Sequence, residues 1–337
     1  MLSQARVTVS NAPVGSSKKG RFGVRSITEV ISTKRSAHHA FIGWFCANAR
    51  RPVAFFNNVI PSSPPRLREL ERYQGGVGSA LPNSVDYVNE LIEGKTDVLM
   101  NFEGKIPSSV ERWNDKYLRP RMNGSRLTRV VFLRDPVNTL ASLAKRCRPK
   151  QFRSLFKYFY QILAIEEIIG RLASNGPTFC EKVVLMSSWL KDENYRAEIA
   201  QYFDLTPAAP PAETTRQGGG SSFNGMAHPP DPVALSERWR SVTDNPLFLA
   251  PFADAPTTDA VRSYFRMFGD RETIDPAIID AFVERAGNDS RAVEYRDRML
   301  LPMRRARSQI NAMEFAPQPA IRELWKGVVA TRMMLRI

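Results

Sequence analysis

Cysteine is scarce. The 337 residues hold three, Cys46, Cys147 and Cys180, with no CxxC spacing. That excludes a disulfide scaffold and argues against a zinc knuckle, and it fits a reducing, cytoplasmic compartment. No apolar run nears the ~18 residues of a membrane span, and no secretory apolar segment opens the chain. Histidine occurs only at His38, His39 and His228, and the sequence sets no carboxylate cluster beside them, so no metal site is expected. The Walker pattern GxxxxGK[ST] is also missing. What is present, 43% hydrophobic and 24% charged residues, describes a soluble globular chain. Its length suits one large or two ordinary domains.

Acidic charge is in deficit, 34 residues against 48 basic, for a net +14. The excess is local. Residues 1–26 hold five basic and no acidic side chains, residues 296–337 carry a net +6, and residues 105–157 a net +11. The rest of the chain is therefore net negative. A concentrated basic segment in such a body points to a local anion site more than to a broad nucleic-acid face. The Arg304-Arg305-Ala306-Arg307 run reads as a solvated helix face.

Residues 1–26 read as a flexible basic leader, either unstructured or an organelle transit peptide. From there apolar segments and turns alternate. Strands are expected at Ile27–Ile31, Val53–Val59, Asp97–Phe102, Arg129–Leu133 and Val183–Met186. Helices are expected at Ala40–Ala49, Ser84–Ile92, Val110–Leu118, from Pro136, at Gln151–Ala173 and at Asp192–Phe203. VVFL at 130–133 suits a strand buried on both faces. Asp135 and Pro136 are a helix N-cap and first-turn pair. This alternation predicts a three-layer αβα core of about four or five parallel strands over 27–205. A Gly/Pro loop follows at 206–232, then a mainly helical stretch at 233–337, all within one domain over 27–337. Trp189, Trp239 and Trp325 read as core, and His228 as part of an irregular loop.

Ligands of open α/β sheets bind beyond the carboxyl ends of the strands. Two turns there carry chemistry. Thr33-Lys34-Arg35-Ser36-Ala37-His38-His39 packs cations, hydroxyls and imidazoles between a strand and a helix start, where backbone N–H groups and the helix dipole favour an anion. Arg134 follows VVFL directly. Ser142 lies about two helical turns beyond Asp135, on the cap's face, so Arg134 and Ser142 can grip one phosphate. A third segment, Thr214 to Gly225, offers Arg216, Gly219, Ser221 and Ser222 as donors or close-approach backbone.

KRSAHHAFIGW after a strand, with VVFLRDPVNTLAS about a hundred residues on, resembles the sulfotransferases that use 3′-phosphoadenosine-5′-phosphosulfate (PAPS). The resemblance covers roughly 27–205 and implies a P-loop-like sulfotransferase fold. It implies that Lys34, Arg35, Ser36, Ala37, His38 and His39 bind the 5′-phosphosulfate. It implies that Arg134 and Ser142 bind the 3′-phosphate, and that the Arg216–Ser222 loop closes over the nucleotide. The family usually has Gly where Ala37 stands, and a methyl group crowds that turn if φ is positive.

Sulfuryl transfer to an acceptor hydroxyl needs positioning, a base and cations to offset leaving-group charge. Arg35 and Lys34 supply cations, with adenosine 3′,5′-bisphosphate as product and no metal. Glu103, after the strand at 97–102, is the first candidate base; His39 or His38 is the second. The expected acceptor is a carbohydrate or small metabolite, with no nucleic-acid partner. The alternatives are an ATP-using P-loop-like kinase and a basic nucleic-acid-binding module.

Overall fold

The computed structural model describes residues 25–57, 59, 70–74, 77–79, 97–105, 107–119, 125–178, 181–206 and 237–306. Five strands run parallel: β1 (Ser26–Ser32), β2 (Val53–Phe56), β5 (Asp97–Glu103), β6 (Arg126–Leu133) and β7 (Glu181–Leu185). An antiparallel pair, β3 (Leu70–Gln74) and β4 (Val77–Ser79), extends the edge beside β2, which the sequence reading did not anticipate. The sheet order is β4-β3-β2-β5-β1-β6-β7.

The expectation of a strand buried on both faces holds for β6. Val130 and Phe132 enter the core on one face of the sheet, and Val131 and Leu133 the core on the other. The first core takes α1 (His38–Asn48), α5 (Met186–Lys191) and α6 (Glu193–Phe203). The second takes α2 (Pro107–Trp113), α3 (Pro136–Arg146) and α4 (Phe152–Asn175). It also takes α7 (Pro246–Leu249), α8 (Ala255–Phe268), α9 (Ile278–Asn288), α10 (Ser290–Tyr295) and α11 (Leu301–Arg305). Residues 237–306 thus share one hydrophobic core with the sheet. Trp189 is fully buried and Trp239 packs against the core, as expected.

The chain leaves β1 toward one face and leaves β5 and β6 toward the other. The carboxyl ends of these three adjacent strands therefore open at a topological switch point, where a crevice forms between diverging connections. Phe41 of α1 fixes one wall of it, packing at a tilt against Phe132 of β6 at 5.0 Å and meeting Trp189 edge-on at 5.8 Å. Such pairs add about 0.5–1.5 kcal/mol each beyond their burial. They hold the start of α1 against the strand that carries Arg134.

Several local expectations need correction. Helix α1 begins at His38, so both histidines sit in its first turn rather than in the preceding loop. The helix expected over Val110–Leu118 starts at Pro107 and passes into a π-turn at Asn114–Leu118. Helix α5 follows β7 with no connecting loop, and the sequence reading missed it. Arg304 is no solvated charge. It binds Glu166 of α4 at 2.7 and 2.8 Å and Asp254 at 2.5 Å, tying α11 to the core, whereas Arg305 is exposed. The helix expected at Ser84–Ile92, the loop at 206–232 with Arg216, Gly219, Ser221, Ser222 and His228, Trp325, and nearly all of the leader lie outside the described residues.

Candidate functional site

The turn Thr33–Ala37 joins β1 to α1. Two of its residues have left-handed backbone, Arg35 at φ 70° and Ala37 at φ 65°. Ala37 thus takes the conformation in which glycine is free and a Cβ is strained by about 1–2 kcal/mol. As residue before the helix it offers no side-chain cap, so the first-turn amides of α1 are not capped by it. Gln161 of α4 fixes the turn from below: its Oε1 accepts from Lys34 N at 3.0 Å, and its Nε2 donates to Gly104 O at 3.3 Å. The same side chain explains Gly104. Its φ is 64°, and a Cβ there would meet Gln161 at 2.6 Å.

Arg134 follows β6 and is buried. One Nη1 donates to Arg35 O at 3.2 Å and to Ser142 Oγ at 3.3 Å. The two turns singled out in the sequence therefore share one rim of the sheet, and Ser142 stands where its spacing from the cap predicts. Asp135 caps α3 as expected, its Oδ1 accepting from Asn138 N at 2.7 Å, with Pro136 at the first helical position.

The sequence reading missed a third guanidinium. Arg238, a hundred residues beyond α3, is carried to the site by its neighbour Trp239, whose N donates to Asn138 Oδ1 at 3.1 Å. Burial, with Arg134 and then Arg35 adding repulsion, lowers Arg238 to about 9. Burial also lowers Arg134, opposed by Asp135 and reinforced by Arg35, and it lowers Arg35, reinforced by Arg146 and opposed by Glu103. Three guanidiniums held this close each raise the free energy of the others' charge. A polyanion relieves that repulsion. Glu272 lies near enough to Arg134 to oppose the loss of its charge. Burial and the nearby Asp135 raise its carboxyl to about 7, and it accepts a hydrogen bond from Tyr264 at 2.5 Å. Nothing local in the sequence marks Arg238 or Glu272; each arrives through tertiary packing.

The imidazoles complete the rim. Ser36 Oγ and His38 Nδ1 are 3.2 Å apart, and both residues are buried. His38 Nε2 lies 3.9 Å from Glu103 Oε1, beyond hydrogen-bond range. His38 Nε2, His39 Nδ1 and Arg35 Nε are buried polar atoms with no hydrogen-bond partner. Burial, then His39, Arg35 and Lys34, hold His38 well below its ordinary range. Burial also lowers His39, opposed by Glu103. Both rings are thus neutral near pH 7. The sequence sets no carboxylate cluster beside the histidines, but the parallel register of β1 and β5 brings one carboxylate to them: Glu103 stands beside Ser32, at the head of their turn.

Among the described residues no helix is long and apolar enough to cross a membrane. Comparison of the chain with protein-family models, with curated proteins and with solved structures gives no match, so its reading rests on this fold and this rim of charged side chains.

Proposed function

We propose that the chain is a PAPS-dependent sulfotransferase that moves a sulfuryl group onto an acceptor hydroxyl, with a carbohydrate or small metabolite as acceptor. One observation carries the reading: Arg134 Nη1 bonds both the backbone of the Arg35 turn and Ser142, so the two basic turns form a single rim. The unpartnered Arg35 Nε and the weakly capped start of α1 fit a ligand with phosphate groups.

Arg134, Ser142 and Arg238 would hold the 3′-phosphate, and Lys34, Arg35, Ser36 and the α1 amides the 5′ end. Ala37 would contribute only backbone. PAPS supplies the activated sulfuryl group. The chain's own work is to orient, to neutralise and to accept a proton. Arg35 and Lys34 offset charge on the departing phosphate. Ser36 fixes the His38 ring, which leaves its other nitrogen aimed toward Glu103. Glu103 remains the first candidate to take the acceptor proton, with the neutral His39 ring second.

Calorimetry with a nucleotide panel tests this. Adenosine 3′,5′-bisphosphate should bind and raise the melting temperature. Arg134→Ala and Arg238→Ala should each weaken it by about tenfold or more, while AMP, which lacks the 3′-phosphate, loses much less. Equal loss for both nucleotides would refute the assignment of the two turns.

A further inference from the structure

Sulfuryl transfer does not by itself explain why two adjacent imidazoles and a carboxylate meet. One nitrogen of His38, one nitrogen of His39 and one oxygen of Glu103 lie within 4.8 Å of one another. The two rings are tilted 40° to one another, with centroids 4.2 Å apart. His38 is 2% exposed, and its Nε2 has no hydrogen-bond partner while pointing 3.9 Å from Glu103 Oε1. His39 Nδ1 is likewise buried and unpartnered. An unsatisfied buried imidazole nitrogen is destabilising, and a ligand on that atom would remove the penalty.

We propose that His38, His39 and Glu103 form a binding site for a divalent transition-metal ion of the zinc type. Two imidazoles and one carboxylate match zinc's preference for nitrogen with borderline oxygen donors, and three protein ligands leave a tetrahedral ion one open position. Ser36 is the outer support. If His38 Nδ1–H donates to Ser36 Oγ, the lone pair stays on Nε2, the tautomer a metal needs. Bond lengths of ~2.1 Å require the donors to close to ~3.4 Å. Glu103, whose side chain is 22% exposed at the end of a strand, closes its own distances by rotating, and His39, in the first turn of α1, turns its ring toward the buried His38.

The surroundings set the kind of ion. Lys34 and Arg35 act on His38 from the same turn, and both repel any cation. Magnesium or calcium, held mainly by charge through oxygen ligands, gains too little here. An ion with strong coordination to imidazole nitrogen tolerates the repulsion. Glu103 cannot bind an ion and take an acceptor proton at once. In the reading above, metal loading and transfer by Glu103 would exclude each other.

Full-length metal-free protein titrated with cobalt(II), followed by visible absorption, tests the site. One equivalent should bind with the intense bands of a low-symmetry nitrogen-ligated ion, zinc(II) should displace it, and a large excess of magnesium should not. His39→Ala and Glu103→Gln should each weaken binding by about tenfold or more, with far-ultraviolet circular dichroism unchanged. Glu103→Gln keeps the side chain's size, so its loss of binding cannot come from a packing defect. Absence of saturable binding, or wild-type affinity in both variants, would overturn the proposal. Nucleotide binding to the metal-free protein reports separately on the sulfotransferase reading, so either can fail alone.

Discussion

Ala37 shows the cost of one methyl group. Its φ of 65° lies where glycine is unstrained, and the turn still forms because Gln161, Ser36 and the aromatic contacts of Phe41 hold its surroundings. Ala37→Gly should stabilise the protein by about 0.5–1 kcal/mol, the relief of strain outweighing the added freedom of the unfolded chain. Thermal melts of the two forms measure it, and a lower melting temperature for the glycine variant would contradict the strain. Glu272 gives a second prediction at the same scale. It faces Arg134, Asp135, Tyr264, Ser187 and Lys191, and its carboxyl is raised to about 7. Below pH 7 it gains a proton and ceases to compete with a phosphate for Arg134. Affinity for adenosine 3′,5′-bisphosphate should therefore rise between pH 8 and pH 6, and Glu272→Gln should flatten that profile in calorimetry.

Among the elements, the central strands carry a buried ionic row. Parallel register sets Glu29, Arg129 and Glu181 side by side on β1, β6 and β7. Arg129 bonds Glu29 and Glu181 at 3.0 Å each, and Arg171 bonds Glu181 at 2.7 Å. Removing Arg129 leaves two carboxylates without their shared cation in the sheet. Arg129→Ala should cost about 3–5 kcal/mol in chemical denaturation. Glu181 also sets an acid limit. Glu181 is lowered to about 2 in the fold from an ordinary 4.5; the hydrogen bonds from Arg171, Thr178 N and Arg129 outweigh its burial. An acid held below its unfolded value stabilises the fold at higher pH. That contribution is complete above pH 4.5 and is lost as pH falls toward 2. Urea unfolding across that window measures the loss. Strand β6 and the cap of α3 were legible in the sequence because a run of β-branched and aromatic residues and an Asp-Pro pair are local signals. The β3–β4 pair and α5 were not. The strands are short, and α5 starts without a turn residue to announce it.

Across the whole molecule, the later helices do two things that no window of sequence reports. Arg304 reaches back to Glu166 and Asp254 and clamps the last described helix to α4 and α8. The segment before α7 delivers Arg238 to the rim through Trp239 and Asn138. A basic run read as solvated therefore contains a structural cation, and the anion site gains an arginine from residues far beyond the α/β core.

The alternation of strand and helix, the two charged turns and their order along the chain were set by local residue pattern, because backbone propensity, capping and periodicity act over a few residues. Only the fold brought Arg134 to the backbone of Arg35, and only it moved Glu103 next to His38 and Arg238 next to both arginines. Those meetings depend on which strands neighbour one another and which helices cross their ends. Parallel strands pair across long connections, so contact partners there are fixed by packing and not by spacing in the sequence.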